Sequence, residues 1–307
     1  MEKIINEIMR KNIGDIKVSP SMSRYTTYKV GGKASLLVYP KNIESLISLM
    51  EIIDKYNVKY FILGNGSNVL FSDSTYDGII IKLDKFDDIE FLDNNKVKVG
   101  AGYSLIKLSL ECARRGLAGL EFASGIPGTI GGAIFMNAGA YNADMKSVVK
   151  DVLVLTPDLK VITLTNSEMN FNYRESFLQH HKGYICLGAT LKLRTGERNI
   201  LEEIIKERKL QRKRTQPLEY PSAGSVFRNP DGLYSGKLIE DLNLKGYKVG
   251  GAMISPKHAN FIINTGDAKA KDIKEIIDYV KEKTKEKYNI TLRVEQRLIN
   301  WDDDLKK

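Results

Sequence analysis

The chain has 307 residues, of which 42% are hydrophobic and 28% charged, so it is long enough to form more than one packed core. Its net charge is +9, but basic and acidic residues alternate along most of the chain, a pattern typical of a solvated surface. No run of about 18 uncharged apolar residues occurs, which excludes a membrane-spanning helix.

The N-terminal residues 1–12 combine charges with isoleucines at helical spacing, which predicts a surface helix rather than a signal peptide. Cys112 and Cys186 stand alone and are interpreted as buried thiols of a cytoplasmic protein. The next pattern is strand, helix, strand over residues 36–39, 42–56 and 59–63, the order of a parallel βαβ unit.

Further elements follow in an irregular order. Ser104 is a candidate N-cap for a helix that ends at Gly116, and a charged helix is predicted at 199–214. Further strands are predicted at residues 79–83, 97–100, 152–156, 161–164 and 184–193. The polar segment 196–198 is the candidate domain boundary. Beyond it lie a glycine-rich loop (221–230), a strand (261–264), an amphipathic helix through Ile273 and Val280, and a last strand (291–299). This irregular mixture indicates an α+β fold.

Two glycine-rich loops are the strongest chemical signal. The first, LGNGSNVL, occupies residues 63–70, and the second runs from residue 123 to 141. Neither matches the dinucleotide or P-loop fingerprints. Glycines nevertheless let backbone N–H groups converge on a phosphate. The alternative interpretation is that both loops are ordinary tight turns. This alternative is stronger for the first loop than for the second.

The densest basic stretch, residues 208–214, has no interleaved aromatic residue. A nucleic-acid surface would place aromatic residues there for base stacking, so a phosphate-bearing small ligand fits the stretch better. The chain has only three histidines and no paired ligand spacing, so we expect no catalytic metal.

Several motifs, in order from about residue 20 to 299, resemble those of the UDP-N-acetylenolpyruvoylglucosamine reductases. They are YTTYKVGGKA (25–34), LGNGSNVL (63–70), SGIPGTIGGAIFMNAGAY (124–141), NYRES (172–176), PSAGSVFRNP (221–230) and the segment 236–264. The chain is similar to the compact class of the family, which lacks an extra tyrosine-bearing loop.

The resemblance implies a two-part FAD-binding domain of the PCMH type over residues 1–195, onto which the strand near 291–299 packs back. A smaller α+β substrate-binding domain over 196–307 follows. It also implies an enzyme of peptidoglycan precursor synthesis that uses non-covalent FAD and NADPH to reduce UDP-N-acetylglucosamine enolpyruvate to UDP-N-acetylmuramate. We expect a monomer that binds neither nucleic acid nor membrane.

Three catalytic residues are carried over from the family. Hydride addition at C3 of the enol ether places charge on the substrate carboxylate, which Arg174 would bind and a protonated Glu295 would stabilise. Ser225 would donate the proton to C2. The alternatives are a surface ion pair for Arg174, a turn serine for Ser225, and for Glu295 a strand residue that faces water or pairs with Arg293 or Arg297. At Glu295 the family pattern Glu-Val-Arg…Ile-Gly is interrupted by Gln296 and Asn300.

The binding residues follow from the same motifs. The resemblance assigns cofactor binding to Tyr28, Gly64, Asn65, Gly66, Ser67, Asn68, Gly125, Ile126, Pro127, Gly128, Gly131, Gly132, Ala133, Asn137, Gly139 and Ala140. It assigns substrate binding to Tyr141, Arg214, Asn229, Lys257 and His258. Two rival functions are a different flavin oxidoreductase, such as a sugar-alcohol oxidase, and a basic nucleic-acid binder without catalytic activity.

Overall fold

The protein is described here by a computed structural model that covers residues 1–301. The chain forms two compact units, each assembled from separate segments. The first unit comprises Met1–Val18, Leu36–Asn65 and Gly78–Leu210, and the second comprises Ser19–Ser35, Gly66–Asp77 and the chain from Gln211 onward.

The helices of the first unit are α1 (Glu2–Arg10), α2 (Ile43–Lys55), α3 (Leu105–Arg114), α4 (Ile130–Phe135), α5 (Phe177–His180) and α6 (Arg198–Thr215), whose last residues belong to the second unit. Local caps set their starts. Asn42 accepts a hydrogen bond from the N–H of Ser45 at 2.9 Å, and Ser104 accepts one from the N–H of Lys107 at 3.3 Å.

Two sheets form the framework of the first unit. One contains β1 (Gly14–Val18), β2 (Ala34–Pro40), β3 (Tyr60–Ile62) and β5 (Tyr76–Ile81), in the order β1-β2-β5-β3. The predicted βαβ unit is therefore present, but β5 lies between its two strands. The other sheet contains β6 (Ile89–Leu92), β7 (Lys96–Gly100), β11 (Val149–Leu155), β12 (Val161–Thr165) and β13 (Ile185–Lys192), in the antiparallel order β12-β11-β13-β7-β6.

Two small pairs complete this unit. They are β8 (Leu117–Ala118) with β14 (Arg194–Thr195), and β9 (Gly139–Ala140) with β10 (Ala143–Asp144). The N–H of Gly196 also donates to the carbonyl of Gly116 at 2.8 Å. The predicted boundary segment 196–198 therefore lies within the first unit, and its first residue is paired there.

The second unit has its own core, which includes Tyr28, Phe227, Ile276 and Leu292. Its elements are β4 (Val69–Phe71), α7 (Ser235–Asp241), β15 (Lys248–Val249), β16 (Ala252–Ile254), β17 (Ile262–Asn264), α8 (Ala270–Tyr288) and β18 (Arg297–Ile299). Strands β15, β16 and β17 form an antiparallel sheet, and β18 pairs in parallel with β4.

The predicted last strand is shorter than expected, since only Arg297–Ile299 of residues 291–299 form a ladder. Its partner, Val69–Phe71, comes from the first quarter of the chain and belongs to the second unit. The predicted domain ranges, 1–195 and 196–307, do not coincide with the two compact units. Local sequence patterns identify elements but do not show which core a segment such as Ser19–Ser35 joins.

Candidate functional site

The first glycine loop begins in the first unit, where it contacts the second glycine loop. The side chain of Asn65 donates to the carbonyl of Pro127 at 3.3 Å. A Cβ on Gly64 would lie 2.7 Å from Thr129 Oγ1, so only glycine allows this approach. The buried Lys82 ammonium donates a hydrogen bond to the Gly64 carbonyl at 2.8 Å. The sequence reading missed Lys82, which no motif marks.

The second loop is held mainly through its own backbone. Gly128 accepts from the N–H of Leu105 at 3.0 Å, and Gly131 donates to the carbonyl of Ala101 at 2.8 Å. Although Gly128 is buried, no atom lies within 4 Å of the Cβ position it lacks. A Cβ on Gly131, in contrast, would lie 3.1 Å from Ala101. Gly128 therefore exposes its backbone to open space, whereas Gly131 serves packing.

The remaining residues of this loop occupy different surroundings. Gly125 and Ile126 are half-buried, Pro127 and Gly132 are exposed, and Ala133 packs in the hydrophobic core. Gly139 and Ala140 form β9, where a Cβ on Gly139 would approach the carbonyl of Ala143 to 2.5 Å.

Asn137 is 1% exposed, and its side chain forms hydrogen bonds to other residues of the protein. Its amide donates to Asp144 and to the carbonyl of Asn172, at 2.9 and 2.8 Å, and accepts from the N–H of Lys146 at 2.9 Å. Asn137 thus ties the second loop to the turn that carries Arg174.

Arg174 lies against the second loop. Its guanidinium donates to the carbonyl of Gly139 at 2.9 Å and stands 4.9 Å from the centre of the Tyr173 ring. The residue has φ of +59°, an uncommon conformation for arginine. Gln179 in turn donates to the Arg174 carbonyl at 2.9 Å. A guanidinium has five N–H donors, and the bond to the Gly139 carbonyl fixes the orientation of the group.

Tyr141, a predicted substrate residue, follows directly on this hairpin. Its hydroxyl donates to the carbonyl of Arg208 at 3.3 Å, and the Arg208 guanidinium lies 4.6 Å from the ring centre. With 37% of its surface exposed, the ring keeps a solvent-facing side.

The rest of the first loop belongs to the second unit. Gly66 has φ of +65°, and a Cβ there would overlap the carbonyl oxygen of Tyr25. Gly66 is thus required by the fold, whatever the loop binds. Ser67 is half-buried. Asn68 donates to the carbonyl of Glu295 at 3.3 Å, and its own carbonyl accepts from the N–H of Arg297 at 2.9 Å.

Ser225 and Glu295 lie close together in the second unit. The N–H of Glu295 donates to the carbonyl of Val226, the residue after Ser225, at 2.8 Å. Both side chains are half-buried. The Ser225 hydroxyl forms no hydrogen bond to any residue in the described range 1–301. Arg174, the third catalytic candidate, belongs to the first unit.

Tyr28, a predicted cofactor residue, is completely buried in the core of the second unit. Its hydroxyl donates to the side chain of Gln296 at 3.0 Å, and its carbonyl accepts from Asn264 at 3.0 Å. Burial raises the pKa of the Tyr28 hydroxyl, because the charged phenolate would lose its hydration. The hydroxyl therefore stays protonated.

The predicted substrate residues of the second unit have varied surroundings. Arg214 is exposed near the end of α6, and exposed Asn229 accepts from the N–H of Ser235 at 3.1 Å. The Lys257 ammonium donates to the carbonyl of Lys213 at 2.7 Å and to Glu219 at 3.4 Å.

His258 is half-buried, and its Nδ1 accepts from the N–H of Asn260 at 3.2 Å. This bond requires an unprotonated Nδ1, so the neutral ring carries its proton on Nε2. Burial lowers the pKa of His258, which also favours the neutral ring.

Within residues 1–301, no three His, Cys, Asp or Glu side chains come close enough together to bind a metal ion. No helix in that range has both the length and the apolar character needed to span a membrane.

The family model described as FAD binding domain matches residues 34–165, and the model described as the C-terminal domain of UDP-N-acetylenolpyruvoylglucosamine reductase matches residues 216–299. A variant of berberine bridge enzyme, described as a reticuline dehydrogenase, shares the fold with a TM-score of 0.50, at 14% identity over 64% of this chain and 44% of its own. The chain is therefore a flavin-dependent oxidoreductase with an α+β fold, which confirms the predicted fold class.

Full-length relatives define the family more narrowly. The UDP-N-acetylenolpyruvoylglucosamine reductases of Anoxybacillus flavithermus and Bacillus subtilis are 46% and 42% identical over 97% of this chain and 99% of their own length. The crystal structure of the Thermus caldophilus reductase aligns with a TM-score of 0.81, at 35% identity over 93% of this chain and 100% of that one. The chain belongs to the UDP-N-acetylenolpyruvoylglucosamine reductase family.

Proposed function

We propose that the chain reduces UDP-N-acetylglucosamine enolpyruvate to UDP-N-acetylmuramate, with NADPH as the source of electrons, as a step of peptidoglycan precursor synthesis. The observation that carries the proposal is the hydrogen bond between Glu295 and Val226, because it brings Glu295 to the Ser225 segment. A group that stabilises the negative charge created by hydride addition and an acid that then donates a proton are the two functions this reduction needs.

The glycine loops fit a non-covalently held FAD. The buried Gly128 lacks a Cβ where open space is present, so a flat ligand can approach its backbone. Gly64 and Asn65 contact the second loop and so bring further backbone donors to it. We assign FAD binding to residues 64–68 and 125–140, together with Tyr28. Bound there, FAD would supply the hydride-transfer chemistry between NADPH and C3 of the substrate.

Arg174 and Glu295 stabilise the negative charge that develops on the substrate carboxylate. A guanidinium pairs with a carboxylate through parallel N–H bonds, and the Gly139 carbonyl holds that guanidinium in place. Glu295, when protonated, donates a hydrogen bond to the same charge, and its backbone is held by Asn68 and Val226.

Ser225 gives its proton to C2 of the substrate. A serine hydroxyl is a weak acid, so its contribution depends on position more than on acidity. The hydrogen bond between Glu295 and Val226, which brings Glu295 to the Ser225 segment, supports this role.

The sugar nucleotide binds through Tyr141, Asn229, Lys257 and His258, and Arg214 binds its diphosphate. The lysine and arginine supply charge for the phosphates, and neutral His258 can donate from Nε2. We further propose that the enzyme is a cytoplasmic monomer that does not bind nucleic acid.

The test is an anaerobic half-reaction. Enzyme reduced with one equivalent of NADPH is mixed with the enolpyruvyl sugar nucleotide, and the flavin absorption band and the product mass are recorded. We expect rapid return of oxidised flavin and a product heavier by two hydrogens. Reoxidation by molecular oxygen but not by this substrate would instead indicate an oxidase, such as the sugar-alcohol oxidase alternative.

A further inference from the structure

The segment that carries Ser225 has little backbone support of its own. At its ends, Pro221 accepts from the N–H of Asn264 and Val226 donates to the carbonyl of Asn260, both at 2.9 Å. Within the described range, no backbone–backbone hydrogen bond involves residues 222–225. Gly224 has φ of +75°, with no atom within 4 Å of its missing Cβ, so packing does not fix it either.

The middle of the segment is held by the side chain of Gln296. Its Nε2 donates to the carbonyls of Ala223 and Gly224, at 3.2 and 3.3 Å. Its Oε1 accepts from the hydroxyl of Tyr28 at 3.0 Å. The two carbonyls can only accept, and the Tyr28 hydroxyl donates to the remaining oxygen, so the partners determine the amide orientation.

This arrangement requires a carboxamide. Gln296 is 4% exposed and Tyr28 is fully buried, so water does not compete for these bonds. A valine, which the family pattern has at this place, offers neither a donor for the two carbonyls nor an acceptor for the tyrosine. Gln296 also directly follows Glu295 in the chain, so one backbone segment carries both the charge-stabilising group and the anchor of the proton donor.

We propose that Gln296 is a positioning residue for Ser225: its amide links the Ser225 segment to the buried Tyr28 and thereby sets the serine hydroxyl for proton delivery. This inference rests on the proposed function of Ser225. Effective proton transfer depends on sub-ångström placement, so loss of the amide should slow the proton step while leaving the rest of the protein intact.

The test compares Gln296→Met with Thr284→Val in the FAD-loaded enzyme. Both changes are nearly isosteric and remove buried hydrogen bonds in the same unit, since the Thr284 hydroxyl donates only to the carbonyl of Val280 at 2.6 Å, within α8. Three quantities are measured: hydrogen exchange of residues 222–226 by mass spectrometry, flavin reoxidation by the enolpyruvyl substrate, and its solvent deuterium isotope effect.

We expect Gln296→Met to accelerate exchange in residues 222–226, to slow reoxidation by roughly 10- to 100-fold, and to increase the isotope effect, with flavin reduction by NADPH unchanged. Thr284→Val should change none of these. Wild-type exchange and reoxidation in Gln296→Met, or equal changes in both variants, would overturn the proposal.

If Gln296→Met does not fold, Tyr28→Phe replaces it. That variant removes only the partner of Oε1 and should accelerate exchange in residues 222–226 by a smaller factor, and unchanged exchange would overturn the proposal. The exchange measurement needs no substrate. If the enolpyruvyl substrate does not reoxidise the flavin of the wild-type enzyme, the proposed function is refuted. The exchange data would still decide whether Gln296 holds the Ser225 segment.

Discussion

The second glycine loop and the Ser225 segment are both rich in small residues, yet they are held in different ways. Gly128 and Gly131 are fixed by backbone hydrogen bonds to Leu105 of α3 and to Ala101. The Ser225 segment depends on the side-chain amide of Gln296, more than 70 positions away. The comparison teaches that backbone hydrogen bonds alone can hold a glycine loop, whereas the Ser225 segment depends on a side chain that is distant in sequence.

The largest expected effect tests the function of the Ser225 segment. Ser225→Ala should slow turnover by about 10²–10⁴-fold, the usual contribution of a positioned general acid, and Ser225→Cys should recover part of the loss. Stopped-flow reoxidation in ordinary and deuterated water, with the configuration of the product at C2, measures this. Ser222→Ala, in the same segment, is the control. Normal turnover and unchanged configuration in Ser225→Ala would remove the serine from the mechanism.

The next effect separates charge stabilisation from cofactor binding. Arg174→Ala and Glu295→Gln should slow flavin reoxidation by substrate by about 10²–10³-fold, because the developing charge loses a fixed donor. Flavin reduction by NADPH should fall only slightly. Arg198→Ala, which removes an exposed partner of Glu202, is the control and should be neutral. Equal, large losses in both half-reactions would show that these residues serve general binding.

Two glycine substitutions sharpen the contrast within the loops. Gly128→Val should leave the protein folded but colourless, because its side chain enters the space proposed for FAD. Gly66→Ala should instead lower the free energy of unfolding by about 1–3 kcal/mol, because its φ is positive and its Cβ overlaps Tyr25. Flavin absorbance and thermal unfolding distinguish the two. Full flavin occupancy in Gly128→Val would contradict the loop assignment.

The smallest effect concerns pH. Burial lowers the pKa of His258 below its ordinary value of 6.5, so the unfolded chain binds this proton more tightly than the folded one. The free energy of unfolding is therefore not reduced by His258 above pH 6.5. It decreases as the pH falls below 6.5 towards the pKa of His258 in the folded protein. His258→Gln should reduce the drop in urea midpoint between about pH 7.5 and about pH 5. If the urea midpoint of His258→Gln falls as much as that of the wild type, other groups cause the pH dependence.

Much of the framework could be predicted because local signals are strong. Helix α2 begins one residue after the predicted start at residue 42, and α3 begins directly after its predicted cap Ser104. The small helix α7 and strands β15 and β16 were missed because each is too short to establish a period. The motif that contains Asn137 was recognised, but not the three hydrogen bonds that its side chain makes to Asp144, Asn172 and Lys146.

The departures from the family pattern also required the tertiary structure. Asn300 stands where the pattern has glycine, and its φ of +63° explains the exchange, since asparagine tolerates this conformation better than most residues. Its side chain also donates to the hydroxyl of Ser72 at 3.2 Å and to the carbonyl of Thr75 at 3.2 Å. The hydrogen bonds of Gln296 to Tyr28, Ala223 and Gly224 likewise explain why a glutamine stands where the family pattern has valine.

The sequence by itself determined the order of most elements, the two glycine loops, the family and the identity of the candidate catalytic residues, because caps, periodicity and motifs are local in the chain. Only the tertiary structure decided that residues 19–35 and 66–77 join the second unit, that β18 pairs with β4, and that Gln296 meets Tyr28 and Gly224. Those outcomes depend on which buried surfaces and hydrogen-bonding groups complement one another across long separations, and no local pattern records that complementarity.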